Sequence, residues 1–184
     1  NGSGMFSLAG GAAVDSSGNA ISITAVDVDL QGTLSSGLAT TTIVTSVAES
    51  IGVGQTSGAL WLDGGELSRI TAGTLVVGDT LATSVTVDGV QQTESQNIGQ
   101  MSLNALAFGG TVSFVNHNST FQSVDVTADG NISFDPGLTL SAVATTGSIS
   151  LTSQTGTIQG QGALSLLAAN GVTLNSSTTT NGPL

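Results

Sequence analysis

The chain lacks cysteine, lysine and tyrosine altogether, and its aromatic side chains are five phenylalanines and one tryptophan. Without cysteine there is neither a disulfide framework nor a thiolate metal site, a usage compatible with export. A single basic residue, Arg69, stands against twelve acids, for a formal net charge of −11. Nucleic acid is excluded as a partner, because phosphate binding replaces condensed counterions with Lys and Arg, and one guanidinium makes one such contact. The same argument disfavours anionic membrane surfaces, and missing lysine rules out isopeptide cross-links through its side chain. No apolar run approaches the roughly 18 residues a spanning helix needs, so direct membrane insertion is not expected. Apolar residues still make up 39% of the chain, with Val, Leu and Ile far outnumbering aromatics at 3%. The core must therefore be built from small branched side chains, in thin, regular layers.

What the chain does have is an uncharged polar surface of Ser, Thr, Asn, Gln and Gly, a style expected outside the cell or on its surface. It starts at Asn1 with no initiator Met and no basic and apolar leader, the expectation for a processed product or a fragment. Apolar and polar residues alternate in short bursts separated by Gly, Asn, Asp and Ser, the pattern of strands and turns. Ile21 and Ile23 alternate with Ser22 and Thr24, then Val26, Val28 and Leu30 alternate with Asp27 and Asp29. The phase slips at Ala25, as expected where a strand turns a corner.

A frame then recurs in which Gly precedes a small or polar residue and an apolar, any, apolar triplet. It begins at Gly58, Gly73, Gly110, Gly130, Gly147 and Gly162. Spacings of roughly 15 to 20 residues, some spanning two units, point to a stacked array. A propeller blade would be about twice as long, and a sandwich core would want bulkier side chains. The expected fold class is all-β, a parallel β-helix (β-solenoid) of roughly eight coils, in which inward Ile, Leu and Val stack in columns and glycine serves the corners. The frame divides the chain into an irregular β-rich region over 1–57, suited to a cap or donated strand, and β-helix repeats over 58–184, in one continuous body. Val47 to Ile51 also fit a short helix.

The segment Glu66-Leu67-Ser68-Arg69-Ile70-Thr71-Ala72-Gly73-Thr74-Leu75-Val76-Val77-Gly78-Asp79 resembles the E-L-x-R-I-x-A-x-T-L-x-I-G-D stretch of large exported proteins similar to filamentous haemagglutinin. The stretch from Gly147 (GSISLTSQTGTIQGQGALSLLAANGVTLNSS) is similar to the degenerate β-helix repeats of the same group. The rest of the chain shares only the style. The resemblance implies a right-handed parallel β-helix shaft, exported by a two-partner or autotransporter-like route and displayed on a bacterial surface. The family's export domain carries an N-P-N type motif, and neither Pro136 nor Pro183 sits in one, so a shaft or distal segment is implied.

Candidate sites are few. His117, the only histidine, lies in Asn116-His117-Asn118 and reads as an exposed turn residue, with nothing to bring Asp125 to it. Asp27 and Asp29 share a strand face and form a weak cation candidate, for Ca²⁺, although the G-G-x-G-x-D nonapeptide of calcium-binding rolls is absent. The prevailing expectation for the acids is a solvated surface. Glu66 and Arg69, three residues apart just before the Gly73 strand, are the one candidate structural ion pair or loop cap, with an anion contact as the alternative. Trp61 lies opposite Leu60 and Leu62 by alternation, where it would offer a platform to a sugar ring or a neighbouring chain. Asn1, Asn118, Asn131 and Asn175 open N-x-[ST] triplets of no diagnostic value in so Ser- and Thr-rich a chain.

Three functions fit this composition. One is the rigid shaft of an adhesin, whose partners are neighbouring segments of a longer chain or surface glycans. Another is a self-associating filament subunit joined through β-helix edges. A carbohydrate-active β-helix enzyme is the most remote, because such sites combine acids with Lys or Arg; neither catalysis nor a cofactor is expected.

Overall fold

The alternating bursts form strands because each carries branched apolar residues on one face and Ser, Thr or Asp on the other. The computed structural model describes residues 4–177, and among these every strand pairing is parallel. Among the described residues the protein is all-β, with parallel sheets compatible with a β-solenoid and only two one-turn helices, Gly64–Leu67 and Gln92–Ser95.

Successive strands go to different sheets, and each lies beside the strand of the preceding cycle. One sheet stacks Ile21–Ala25, Thr40–Thr45, Ile70–Val77, Ile98–Ala105, Val124–Ala128, Ile149–Ser153 and Val172–Ser176 in order. A second stacks Glu49–Gly54, Ala82–Asp88, Thr111–Val115, Ile132–Phe134 and Ile158–Gly160. A third holds Ser119–Phe121, Thr139–Ala142 and Ser165–Ala168. Register places like on like: Ile23 beside Ile43, Leu103 beside Val126 beside Leu151, and Val112 beside Ile132. These inward columns are the core, with Leu30, Ile43, Leu75, Leu103 and Leu151 fully buried.

Phe114 and Phe134 continue the pattern as stacked rings, 4.7 Å between centroids and 6° from parallel. Their column ends because Gly160 lies beside Phe134 and carries no side chain. An apolar hollow of about 420 Å³ opens there, between Ile158, Leu164, Leu166 and Leu174.

Residues expected to be irregular pair regularly. Met5–Leu8 lies beside Asp27–Leu30, Ala13–Asp15 beside Thr33–Ser35, and Ile21–Ala25 beside Thr40–Thr45. The stretch that fitted a short helix, 47–51, instead leads into the strand Glu49–Gly54, because alternation of Ile51 and Val53 matches Val85 and Val87 beside it.

One strand breaks the order. Leu60–Leu62 pairs in parallel with Glu49–Gly54, Ile51 beside Leu60 and Val53 beside Leu62, only nine residues later in the chain. Parallel neighbours normally need a crossover of a dozen or more residues. Here the return passes directly over Gly52. A Cβ on Gly52 would lie 2.3 Å from the Thr56 carbonyl oxygen, and one on Gly58 would lie 2.3 Å from the Gly52 nitrogen. Both contacts are with backbone, which cannot swing aside. Gly52→Ala should therefore cost at least ~2 kcal/mol of unfolding free energy, the scale of an overpacked interior, while Gly109→Ala, in open space, costs only the strain of its positive φ. Chemical denaturation of the two variants checks this; equal losses would contradict it.

Candidate functional site

Of the candidate site residues, Asp27, Asp29, Trp61, Glu66 and Arg69 lie around the out-of-order strand and the turn that follows it, and His117 is the exception. Asp63 caps the Gly64–Leu67 turn: its carboxylate accepts from the Glu66 N–H at 2.7 Å, and Glu66 Oε2 accepts from the Asp63 N–H at 3.0 Å. This reciprocal box is what Asp-x-x-Glu before an apolar run signals. The other Glu66 oxygen, Oε1, accepts from the Leu30 N–H at 2.9 Å, tying the turn to the preceding cycle. One cycle on, Glu94 repeats half of the device, accepting from the Gln91 N–H at 2.7 Å, while the Gln91 side chain donates to the Gly89 carbonyl; the Glu94 carboxylate rests where a Cβ of Gly64 would be.

Glu66 is thus consumed by backbone donors and forms no ion pair with Arg69, contrary to the pairing expected from their spacing. The guanidinium lies instead beside Gly65, 3.2 Å from where a Cβ there would be. A carboxylate buried in a turn gains more from two fixed N–H groups than from a flexible cation three residues away. Trp61 is 38% exposed, outward as its alternation predicts, and its indole N–H donates to the Gly54 carbonyl at 3.0 Å. Its backbone N–H donates to Asp27 Oδ1 at 2.9 Å. Asp29 accepts from Gln31 at 2.8 Å and from the Ser7 hydroxyl at 3.4 Å, so Asp27 and Asp29 do not close on a common point.

His117, the exception, is exposed at 62% of its side chain, yet its Nδ1 lies 2.9 Å from Asp88 Oδ1. The Asp88 carboxylate is buried and also accepts from the Asn116 side-chain amide at 3.0 Å. Asp125 is not involved. No hydroxyl is hydrogen-bonded to the imidazole among the described residues, so the pair is a surface bracket between two cycles rather than part of a Ser-His-Asp relay.

Sequence reading missed how widely acidic and amide side chains serve backbone donors. Asp129 accepts from the Gly109 N–H, Asp135 from Asn116, Asn118 from Thr139 and Asn131 from Thr157, each across to a neighbouring cycle. Asp15 and Asp79 do so within their own turns. These acids are acceptors built into corners, which corrects the picture of a merely solvated acidic surface. Two of the N-x-[ST] asparagines belong to the same set, while Asn1 lies outside the described residues. No group of three or more His, Asp or Glu converges as a metal centre among the described residues, and no helix there is long and apolar enough to cross a membrane. No family model, curated protein or solved structure matches the chain.

Burial pushes the Glu66 carboxyl above the usual glutamate range, aided by the nearby charges of Asp63 and Asp27 and opposed by the Leu30 and Asp63 N–H groups. Glu49 is raised by burial and by Asp27. In both, the folded state holds its proton to higher pH than the unfolded chain. Their contribution to stability is complete below the ordinary carboxylate range and is lost as pH rises through the raised values. Thermal unfolding should therefore move to higher temperature on acidification from neutral pH toward about 4.5, with a shallower slope for Glu66→Gln. Glu66→Ala, which strands the Leu30 and Asp63 donors, should cost about 2–3 kcal/mol at neutral pH by denaturant titration.

Proposed function

We propose that the chain is a rigid shaft segment of an exported bacterial surface protein similar to the filamentous-haemagglutinin group, folded as a closed right-handed parallel β-helix and displayed at the cell surface. The observation that supports this best is the use made of its polar side chains. Carboxylates and amides that would furnish a reactive or binding site elsewhere are spent on backbone N–H groups of adjacent cycles. A body of this kind transmits length and stiffness, which is what a shaft contributes. The segment that carries the family resemblance, 66–79, supplies Glu66 of the capping box and the strand Ile70–Val77, which pairs with Thr40–Thr45 on one side and Ile98–Ala105 on the other. Its partners on this reading are neighbouring segments of a longer chain, with Trp61 offering a contact to surface glycans.

A second reading, a subunit that polymerises end to end, draws on the terminal strands. Leu167, Val172 and Leu174 are exposed at one end of the stack, Met5 and Val14 at the other. Unpaired parallel edges bearing apolar side chains are templates for another chain.

Electron microscopy of the isolated protein separates the two. Seven strands spaced about 4.8 Å apart make a rod only about 30 Å long, so dispersed short particles are expected for a shaft segment. Long fibres with an axial repeat close to that length would replace the shaft with the polymerising subunit.

A further inference from the structure

Where the chain passes from the first sheet to the second, the corner carries apolar side chains on its outside. Val47 stands there after Thr40–Thr45, Leu81 after Ile70–Val77 and Phe108 after Ile98–Ala105, one in each of three successive cycles. All three are exposed, Phe108 fully. The corners are bonded to one another. The Glu49 N–H donates to the Leu81 carbonyl at 3.2 Å, and the Leu106 and Ala107 N–H groups donate to the Asp79 and Ala82 carbonyls at 3.0 and 3.2 Å. Backbone contact at each step stacks the three turns into a ridge that rises about 4.8 Å per cycle. One cycle further on the corner is polar, Asp129-Gly130-Asn131, and the ridge ends.

Exposed apolar side chains scattered singly are ordinary, but here three occupy adjoining turns and the largest is the most firmly held. Ala107, Phe108, Gly109 and Gly110 form a turn closed by the Gly110 N–H on the Ala107 carbonyl at 2.7 Å, with Gly109 at a φ of 72°, as the third residue of a type II turn requires. Asp129 Oδ2 accepts from the Gly109 N–H at 2.7 Å and fastens the turn to the next cycle. Phe108 is therefore a ring presented to solvent on a backbone already ordered, and covering it demands little further ordering of this chain.

Charge decides what covers the ridge. Asp79 and Asp129 each spend one oxygen on a backbone N–H, of Leu81 and of Gly109, and leave the other without a partner among the described residues. A second copy would set the same acids against these with Arg69 as its only cation, and an anionic membrane is repelled in the same way. The complement is a set of apolar side chains flanked by Lys or Arg. A rise of about 4.8 Å per cycle is close to the pitch of an α-helix, about 5.4 Å, whereas alternate residues of a strand stand about 6.7 Å apart.

We propose that the corner at Val47, Leu81 and Phe108 is a docking ridge for a cationic amphipathic helix of a partner protein. The apolar stripe of that helix lies along the stack over the three side chains, and its Lys or Arg residues reach Asp79 and Asp129. The ridge is on the flank of the stack, away from both terminal cycles, so it serves a shaft segment and a polymerising subunit alike.

Fluorescence anisotropy of a labelled synthetic helix, with Leu at i, i+3, i+4 and i+7 and Lys elsewhere, titrated with the intact protein at about 0.15 M salt, should show saturable binding. Phe108→Ser should weaken it at least ~10-fold at an unchanged unfolding temperature, since the ring touches solvent only. Asp79→Asn combined with Asp129→Asn, which keeps the oxygens that accept from the backbone, should weaken binding and flatten its salt dependence. Leu38→Ser removes an almost equally exposed side chain from a different corner and should leave binding unchanged. A peptide with Ser in place of every Leu keeps the charge and should bind at least ~10-fold more weakly. No saturable binding, undiminished affinity in Phe108→Ser, an equal loss in Leu38→Ser, or equal affinity for the serine peptide would each overturn the proposal, the last by reducing the contact to the net charge of the chain.

Discussion

Everything in this molecule depends on the ladder of backbone hydrogen bonds that joins each cycle of the chain to the one before it. Parallel pairing at a fixed pitch demands that every cycle present its donors and acceptors at the same height. Side chains then have no choice but to stack in columns, Ile23 by Ile43 and Leu103 by Val126 by Leu151. Small branched residues fill such columns because each layer is thin, and the stacked pair Phe114 and Phe134 is tolerated since both rings lie flat in the same direction. At the corners the ladder lapses and backbone N–H groups face neighbours that offer no carbonyl. Carboxylates and asparagine amides take over there, as Asp129 does for Gly109 and Asn131 for Thr157. A donor without a partner would cost about as much as a lost hydrogen bond.

The Leu60–Leu62 strand shows what departing from this rule requires. It enters the stack beside Glu49–Gly54 without completing a cycle, and its return loop passes so close to Gly52 that no side chain fits. The chain must then climb back to rejoin the sequence of cycles, and the capped turn at Asp63 to Leu67 performs that climb. Glu66 anchors the turn to Leu30, one cycle lower, at the expense of burying a carboxylate among other acids. An irregularity in the path is thus offset by one glycine contact and one buried charge.

Much of this was legible in the sequence. The glycine frame located the strands near residues 60, 111, 132, 149 and 165, because an apolar, any, apolar triplet after glycine can bury one face only as a strand. Gly73 misled, since it lies inside Ile70–Val77 rather than at a corner; what it answers is the Leu38 carbonyl, 2.0 Å from where its Cβ would be. Of the two readings of Glu66, salt bridge with Arg69 or loop cap, the structure takes the cap, and its partner Asp63 is legible in the Asp-x-x-Glu spacing. The Asp88 and His117 contact was beyond reach, for it joins residues 29 apart in the chain and depends on the register of two strands.

The absence of lysine follows from the same constraint. The polar shortfall of the corners is one of acceptors, as these bracketing carboxylates receive backbone N–H groups. Lysine carries donors only and would add to the surplus. Aspartate and glutamate meet the need with short, acceptor-only groups, and asparagine does so without charge. Repetition along the stack then accumulates negative charge that Arg69 alone offsets, leaving −11 over the chain. A parallel stack that closes its corners with carboxylates is in this way obliged to draw its counter-charge from the medium, and its outer surface is an electrolyte-dependent one.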